Sequence, residues 1–93
     1  MTDAEVLREL VALAEQAGLR VRMVRGAPAG EGEPAARSAL CRVRGEPWVV
    51  LSGADAVEDR IAVVAQALRE HAAAWLEGRF LPPAVRERIS SDG

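Results

Sequence analysis

The hydrophobic pattern of the first residues predicts a helix followed by a strand. Apolar residues recur at helical spacing over residues 6–17, and Thr2 with Glu5 three residues later is a capping-box signature. Gly18 marks the predicted helix end, because glycine readily adopts the left-handed backbone conformation found there. Residues 19–24 then alternate apolar and arginine side chains, which predicts a strand with one apolar and one basic face.

Two further strands and a tight turn are predicted in the middle of the chain. Residues 38–44 and 48–52 form a β-hairpin pattern around Gly45 and Glu46. Glycine at the first central position favours a type II′ turn. The resulting register assigns Cys41 to the buried side, where a structural cysteine is expected.

The last third of the chain predicts one long helix and one short helix. The long helix begins near Asp55, carries a wide apolar stripe and ends at Gly78. A short helix over residues 84–89 presents Val85 and Ile89 one turn apart.

The order α-β-β-β-α-α predicts a two-layer α+β fold with a small, mainly antiparallel three-stranded sheet. A single domain over residues 1–89 is expected, with a mobile loop at 25–37 and a disordered tail at 90–93. Three glycines and two prolines make the loop aperiodic. Residues 48–51 are apolar at both parities of the third strand, so this strand is expected to be covered on both faces.

This excess apolar surface predicts a homodimer, because monomers rarely expose large contiguous apolar patches. The expected dimer interface contains Leu40, Val49 and Leu51, with Arg20 and Arg42 at its rim. In the alternative, the terminal helix folds back and covers the same sheet face within one chain.

Composition supports a small globular protein and narrows its class. The chain has 93 residues, 49% of them hydrophobic, and a net charge of −2, within the range of one folded domain. It has no apolar run long enough to span a bilayer, and its acidic start predicts no export signal, so a cytoplasmic location is expected. All 12 basic residues are arginine, which with 18 alanines is typical of GC-rich bacterial genomes.

Charge is segregated along the chain. Residues 19–45 contain six arginines and two glutamates, whereas the remainder contains six arginines and twelve acidic residues. Arg20, Arg22, Arg42 and Arg44 could share one sheet face and bind an anionic small ligand or nucleic acid. The absence of phenylalanine and tyrosine from the first two strands argues against nucleic acid. Alternatively, the arginine stems cover apolar sheet surface.

The sequence contains no recognisable catalytic or metal-binding constellation. His71 is the single histidine, and its helical neighbours Ala67 and Trp75 cannot complete a zinc site. Cys41 is the single cysteine, so it cannot form a disulfide within the chain. We therefore expect no catalytic residue, no metal and no cofactor. The most favoured function is a non-enzymatic protein–protein interaction or self-associating domain.

The predicted hairpin followed by the helical segment 59–69 resembles the ββα core of the ImmA/IrrE-type, zincin-like metallopeptidases. The positions that match that family's metal-binding and catalytic motif are occupied here by Ala65, Gln66 and Arg69. The resemblance therefore implies a degenerate, non-catalytic relative without the metal motif. The hairpin segment 40–45 also resembles small bacterial proteins.

Overall fold

A computed structural model of the chain describes residues 1–24 and 37–90. Except for Arg37, the predicted mobile loop lies outside the described residues, as do residues 91–93 of the predicted tail. The elements in chain order are α1 (Asp3–Gln16), β1 (Arg20–Val24), β2 (Ala39–Val43), β3 (Glu46–Ser52), α2 (Val57–His71), α3 (Ala73–Leu76) and α4 (Pro83–Ser90).

The predicted α+β class is confirmed, but the sheet is mixed rather than mainly antiparallel. Its strand order is β1-β3-β2, with β3 antiparallel to β2 and parallel to β1. The end of β1 lies beside Ser52, and the start of β2 lies beside Val50, near the same end of β3. The chain therefore enters β2 near the end of the sheet where it leaves β1, so β2 runs opposite to β1. Since the hairpin makes β3 antiparallel to β2, β1 and β3 run in the same direction.

Helix α1 begins and ends where the sequence predicts. The Glu5 backbone N–H donates to Thr2 Oγ1 at 3.2 Å, and the Thr2 N–H donates to Glu5 Oε1 at 3.1 Å. This backbone hydrogen bond from Thr2 to the carboxylate lowers the pKa of Glu5. Gly18 follows the helix with a φ of 91°, as expected for a glycine that ends a helix.

The long second helix of the prediction is shorter and divided. Helix α2 begins after Ala56, whose methyl side chain cannot cap it, and the Asp55 carboxylate accepts from the backbone N–H of Ser38. At Ala72 the backbone leaves helical geometry, with φ −136° and ψ 19°, and α3 starts at the next residue. The break places Trp75 and the following leucine partly against the core.

The core lies between the helices and one face of the sheet. Helices α1 and α2 pack on each other and against the strands, while α4 packs on α1 and α2 without contacting the strands. Val85 and Ile89 of α4 are buried in this helical layer. The Arg69 Nη1 group holds the C-terminal end of α4 by donating to the Ile89 carbonyl at 2.9 Å. The alternative in which the terminal helix covers the second sheet face is therefore wrong.

None of the helices within the described residues combines the length and apolar character needed to cross a membrane.

Candidate interaction surface

The strand register separates the sheet into two faces with different surroundings. Along β3, Val49 and Leu51 are fully buried, and both belong to the core shared with α1 and α2. Trp48 and Val50 point to the opposite side and are only partly buried. We call the helix-packed side the covered face and the opposite side, on which none of the described helices packs, the open face.

The predicted dimer interface lies on the covered face. Val49 and Leu51 are 0% exposed, and Leu40, which pairs with Val49, packs against the same core. The side chains of Val49 and Leu51 are already covered by the helices of their own chain and are not available to a partner, whereas Leu40 is half-buried. The prediction is wrong for Val49 and Leu51, because the helices cover the parity of β3 that was assigned to the partner.

The hairpin turn also differs from the prediction. Val43 pairs with Glu46, so Arg44 and Gly45 are the two loop residues, with φ values of 53° and 83°. Positive φ at both positions defines a type I′ turn rather than type II′. The register moves by two residues relative to the prediction.

Cys41 lies on the open face, opposite Trp48 in this register. It is a free, exposed cysteine, and the expectation of a buried structural cysteine is wrong. As for the dimer interface, the helices pack on the face opposite to the expected one. Cys41 shares its parity with Trp48 and not with the core residue Val49.

The four arginines do not share one face. Arg20 and Arg22 lie on the open face because they pair with Trp48 and Val50. Arg42 has the opposite parity and lines a shallow hollow together with residues of α2. The fourth, Arg44, is in the turn. The predicted platform of four arginines is therefore reduced to two neighbouring side chains on β1.

The open face has an apolar centre with charged residues along one side. Its members are Arg20, Arg22, Val24, Ala39, Cys41, Val43, Glu46, Trp48, Val50 and Ser52, of which Ser52 is fully buried. The Nε atom of Arg20 lies 3.8 Å from Glu46 Oε2, and both side chains are more than 60% exposed. An exposed pair at this distance contributes little to folding stability.

A polar cluster holds the end of the sheet where β2 begins. The Ser38 backbone N–H donates to Asp55 Oδ2 at 2.6 Å, and Ser38 Oγ accepts from the Ser52 N–H at 2.8 Å. Arg60 donates from Nε and Nη2 to the Asp55 carbonyl. The hydrogen bond from the Ser38 backbone is the main reason why the pKa of Asp55 is lowered. Every named donor binds a protein acceptor, so the cluster fixes the start of β2.

The remaining reactive side chains are not arranged for catalysis. His71 lies at the end of α2 with its side chain 22% exposed and Nε2 3.9 Å from Glu70 Oε2. It lines the same hollow as Cys41 and Arg42, beside the outer edge of β2. Among residues 1–24 and 37–90, no group of three or more histidine, cysteine or acidic side chains could hold a metal ion.

Sequence reasoning missed Trp48 as the aromatic residue next to Arg20. The first two strands contain no phenylalanine or tyrosine, but the parallel pairing sets Trp48 of β3 directly beside Arg20 of β1. The signal was present in β1 itself. Its arginines show which parity is solvated, and the residues that pair with them must lie on that side.

Comparisons of this chain with protein-family models, with curated proteins and with solved structures found no match.

Proposed function

We propose that this protein is a non-enzymatic interaction domain that self-associates through the open face of its sheet. The observation that carries the proposal is the placement of Trp48 and Val50. Both lie in the middle of the central strand, on the face opposite α1 and α2, and neither belongs to the core. A partner would remove this apolar centre from water, which is the main driving force of association.

The composition of the open face suits a protein interface. Tryptophan and arginine are enriched among the residues that dominate binding energy, and they act best at the centre of a patch. Here Trp48 occupies the centre, with Arg20 and Arg22 beside it and Glu46 at one end. This combination of an apolar centre and a charged border is the usual arrangement of a specific contact.

The size of the face predicts a reversible dimer. Strands of five residues, spaced about 4.8 Å apart, give a three-stranded face roughly 15 Å wide and 17 Å long. Each face covers about 250 Å² in flat projection, so two of them give about 500 Å², below the roughly 1,200 Å² of standard specific complexes. We therefore expect a monomer–dimer equilibrium that depends on concentration.

The α2 residues at the positions of the zincin-like motif support a role without catalysis. Ala65 is buried in the core, Gln66 donates to Glu70 at 3.1 Å, and Arg69 binds the Ile89 carbonyl at the end of α4. These side chains pack the domain and offer no metal ligand set. We propose a degenerate relative that acts without metal or cofactor, in the cytoplasm.

Sedimentation equilibrium over a tenfold range of low micromolar concentration tests the proposal. We expect the mass to rise from near 9.9 kDa towards twice that value. Trp48→Thr, which keeps a β-branched residue in the strand, should lower the association constant at least several-fold. A wild-type mass that stays at the monomer value at every concentration would contradict the proposal.

Two further variants make this test specific. Phe80→Thr removes an aromatic residue that is 84% exposed and lies outside the three strands, and it should leave association unchanged. Val50→Thr is nearly isosteric and keeps strand propensity, so it should weaken the dimer while the chain stays folded. Circular dichroism of each variant verifies that a monomeric mass does not reflect unfolding.

Anion binding by the open face is the second candidate function. The observation in its favour is Trp48 beside Arg20, since bases stack on aromatic rings and arginines contact phosphates. The loss of Arg42 and Arg44 from this face counts against it. Fluorescence anisotropy with a single-stranded oligonucleotide tests it. Binding that weakens as salt rises and is lost in Arg22→Gln would favour the candidate, and no binding at low salt would exclude it.

A further inference from the structure

The two outer strands of the open face differ in side-chain size and charge. On β1 the face carries the long, charged side chains of Arg20 and Arg22. On β2 it carries the small, uncharged side chains of Ala39 and Cys41 at the same levels along the sheet. One side of the face is therefore raised and basic, while the other side is low and neutral.

When the strands of the two sheets are aligned, a second copy can stack on this face by two-fold symmetry in two ways. If the axis runs along β3, β1 of one subunit lies over β2 of the other. If the axis runs across the strands, β1 lies over β1 and β2 lies over β2. The open faces themselves distinguish the two arrangements, because each brings different side chains together.

The arrangement with the axis across the strands is unfavourable on both sides. It brings the Arg20 and Arg22 pairs of both subunits against one another, and like charges in a partly dehydrated contact repel strongly. It also stacks the small residues Ala39 and Cys41 on small residues, which leaves space unfilled and loses packing contacts.

On the outer strands, the arrangement with the axis along β3 matches large residues to small ones, while Trp48 and Glu46 of β3 each lie over the same residue of the partner copy. Arg20 and Cys41 both pair with Trp48, and Arg22 and Ala39 both pair with Val50. Each arginine therefore meets a small, neutral residue of the partner. Its aliphatic stem can lie on that residue while the guanidinium reaches solvent at the edge.

We propose that the dimer has its two-fold axis along β3, with Arg20 above the partner copy's Cys41 and Arg22 above the partner copy's Ala39. This inference rests on self-association through the open face. Arg20 remains next to Glu46 of its own chain, 3.8 Å away, which limits the charge brought to the contact.

Chemical cross-linking of two single-cysteine proteins tests the arrangement. The wild-type chain supplies Cys41, and Arg20→Cys/Cys41→Ser supplies a thiol on β1 only. Because stacked sheets lie about 10 Å apart and a direct disulfide spans less than about 7 Å, the reagent is a short bis-maleimide that bridges about 10 Å. We expect the cross-linked dimer to form at least several-fold faster in the mixture than in either protein alone.

A matched control and a mass measurement separate the possible failures. Arg86→Cys/Cys41→Ser, with an exposed thiol on α4, reports random collision when mixed with the wild-type chain. If sedimentation shows a dimer but wild-type Cys41 links to itself fastest, or the mixture only equals the control, the arrangement is wrong. If sedimentation shows only monomer, self-association itself is wrong.

Discussion

The covered and open faces of the sheet use similar residues to different ends. On the central strand, Val49 and Leu51 are fully buried under α1 and α2, whereas Val50, one position away, is only partly buried and lies outside the core. The outer strands differ between the two faces in the same way. Leu40 of β2 lies on the covered face, whereas Arg22 of β1 lies on the open face. Adjacent valines in one strand thus serve folding in one case and, in our proposal, association in the other.

This contrast shows that hydrophobicity alone does not identify a core residue. A run of apolar residues at both parities indicates that both faces of a strand avoid water. It does not indicate which face is covered by helices of the same chain and which is left for a partner. That choice depends on where the helices pack, and the polar residues of the neighbouring strand give the better indication.

The largest expected effect compares Val49→Ala with Val50→Ala. Both delete the same two methyl groups from the same strand. Val49→Ala should lower the free energy of unfolding by about 2–3 kcal/mol, because it leaves a cavity in the core. Val50→Ala should cost less than about 1 kcal/mol when the protein is dilute and monomeric. Urea denaturation measures both, and equal losses would contradict the assignment of the two faces.

Gly45→Val tests the turn that sets the register of β2 against β3. Gly45 has a φ of 83°, which a side chain disfavours. The space that a Cβ atom would occupy has no other atom within 4 Å, apart from the two neighbouring residues, so backbone strain rather than crowding opposes a side chain. We expect a loss of about 1–2 kcal/mol in the free energy of unfolding. Gly45→Asn is the matched control and should lose less, because asparagine tolerates this conformation. Equal losses in thermal melts would argue against a type I′ turn.

A pH series tests the polar cluster of Ser38, Ser52, Asp55 and Arg60 at the start of β2. The hydrogen bond from Ser38 lowers the pKa of Asp55 below its ordinary value of 3.8 in the folded chain. The ionised carboxylate therefore stabilises the fold above about this pH, and that contribution is lost as the pH falls through the folded pKa. In Asp55→Asn the thermal midpoint should fall at neutral pH and depend less on pH in the acidic range. If the stability of the variant depends on acidic pH as the wild type does, the ionised Asp55 carboxylate does not contribute to folding stability.

The smallest expected effect is a gain in stability from Arg44→Asn. Arg44 is the only non-glycine residue with positive φ among residues 1–24 and 37–90, at 53°. Asparagine followed by glycine is a preferred pair for a type I′ turn. We expect the free energy of unfolding to rise by about 0.5–1 kcal/mol, while the mass in sedimentation stays unchanged. A loss of stability would indicate that the Arg44 side chain makes a contact that offsets its strain.

Local signals predicted most of the elements correctly. The Thr2 and Glu5 capping box, the glycine after α1 and the hairpin over β2 and β3 are properties of a few neighbouring residues, and the structure confirms them. Type and position of these elements follow from backbone preferences that act over one turn of chain. The exact turn did not follow, because Arg44 adopts a positive φ that its side chain disfavours.

The candidate surface was harder to predict because it depends on distant contacts. The parallel pairing that sets Arg20 beside Trp48 joins residues 28 positions apart in the chain. Asp55 resembles a helix cap in sequence, yet it binds Ser38, which lies 17 residues earlier. Only the packed chain shows these partners. Once β1 is known to pair in parallel with β3, the two parities of β3 and the open face follow.

The native cysteine provides the most direct test of the open face as the site of self-association. Cys41 is exposed in the single chain and lies opposite Trp48 on that face. The rate of its modification by a thiol reagent is measured over the concentration range in which sedimentation follows the dimer. We predict that the rate per thiol falls as the dimer fraction rises, because the partner covers Cys41. A constant rate while the mass doubles would show that the chains associate through another surface.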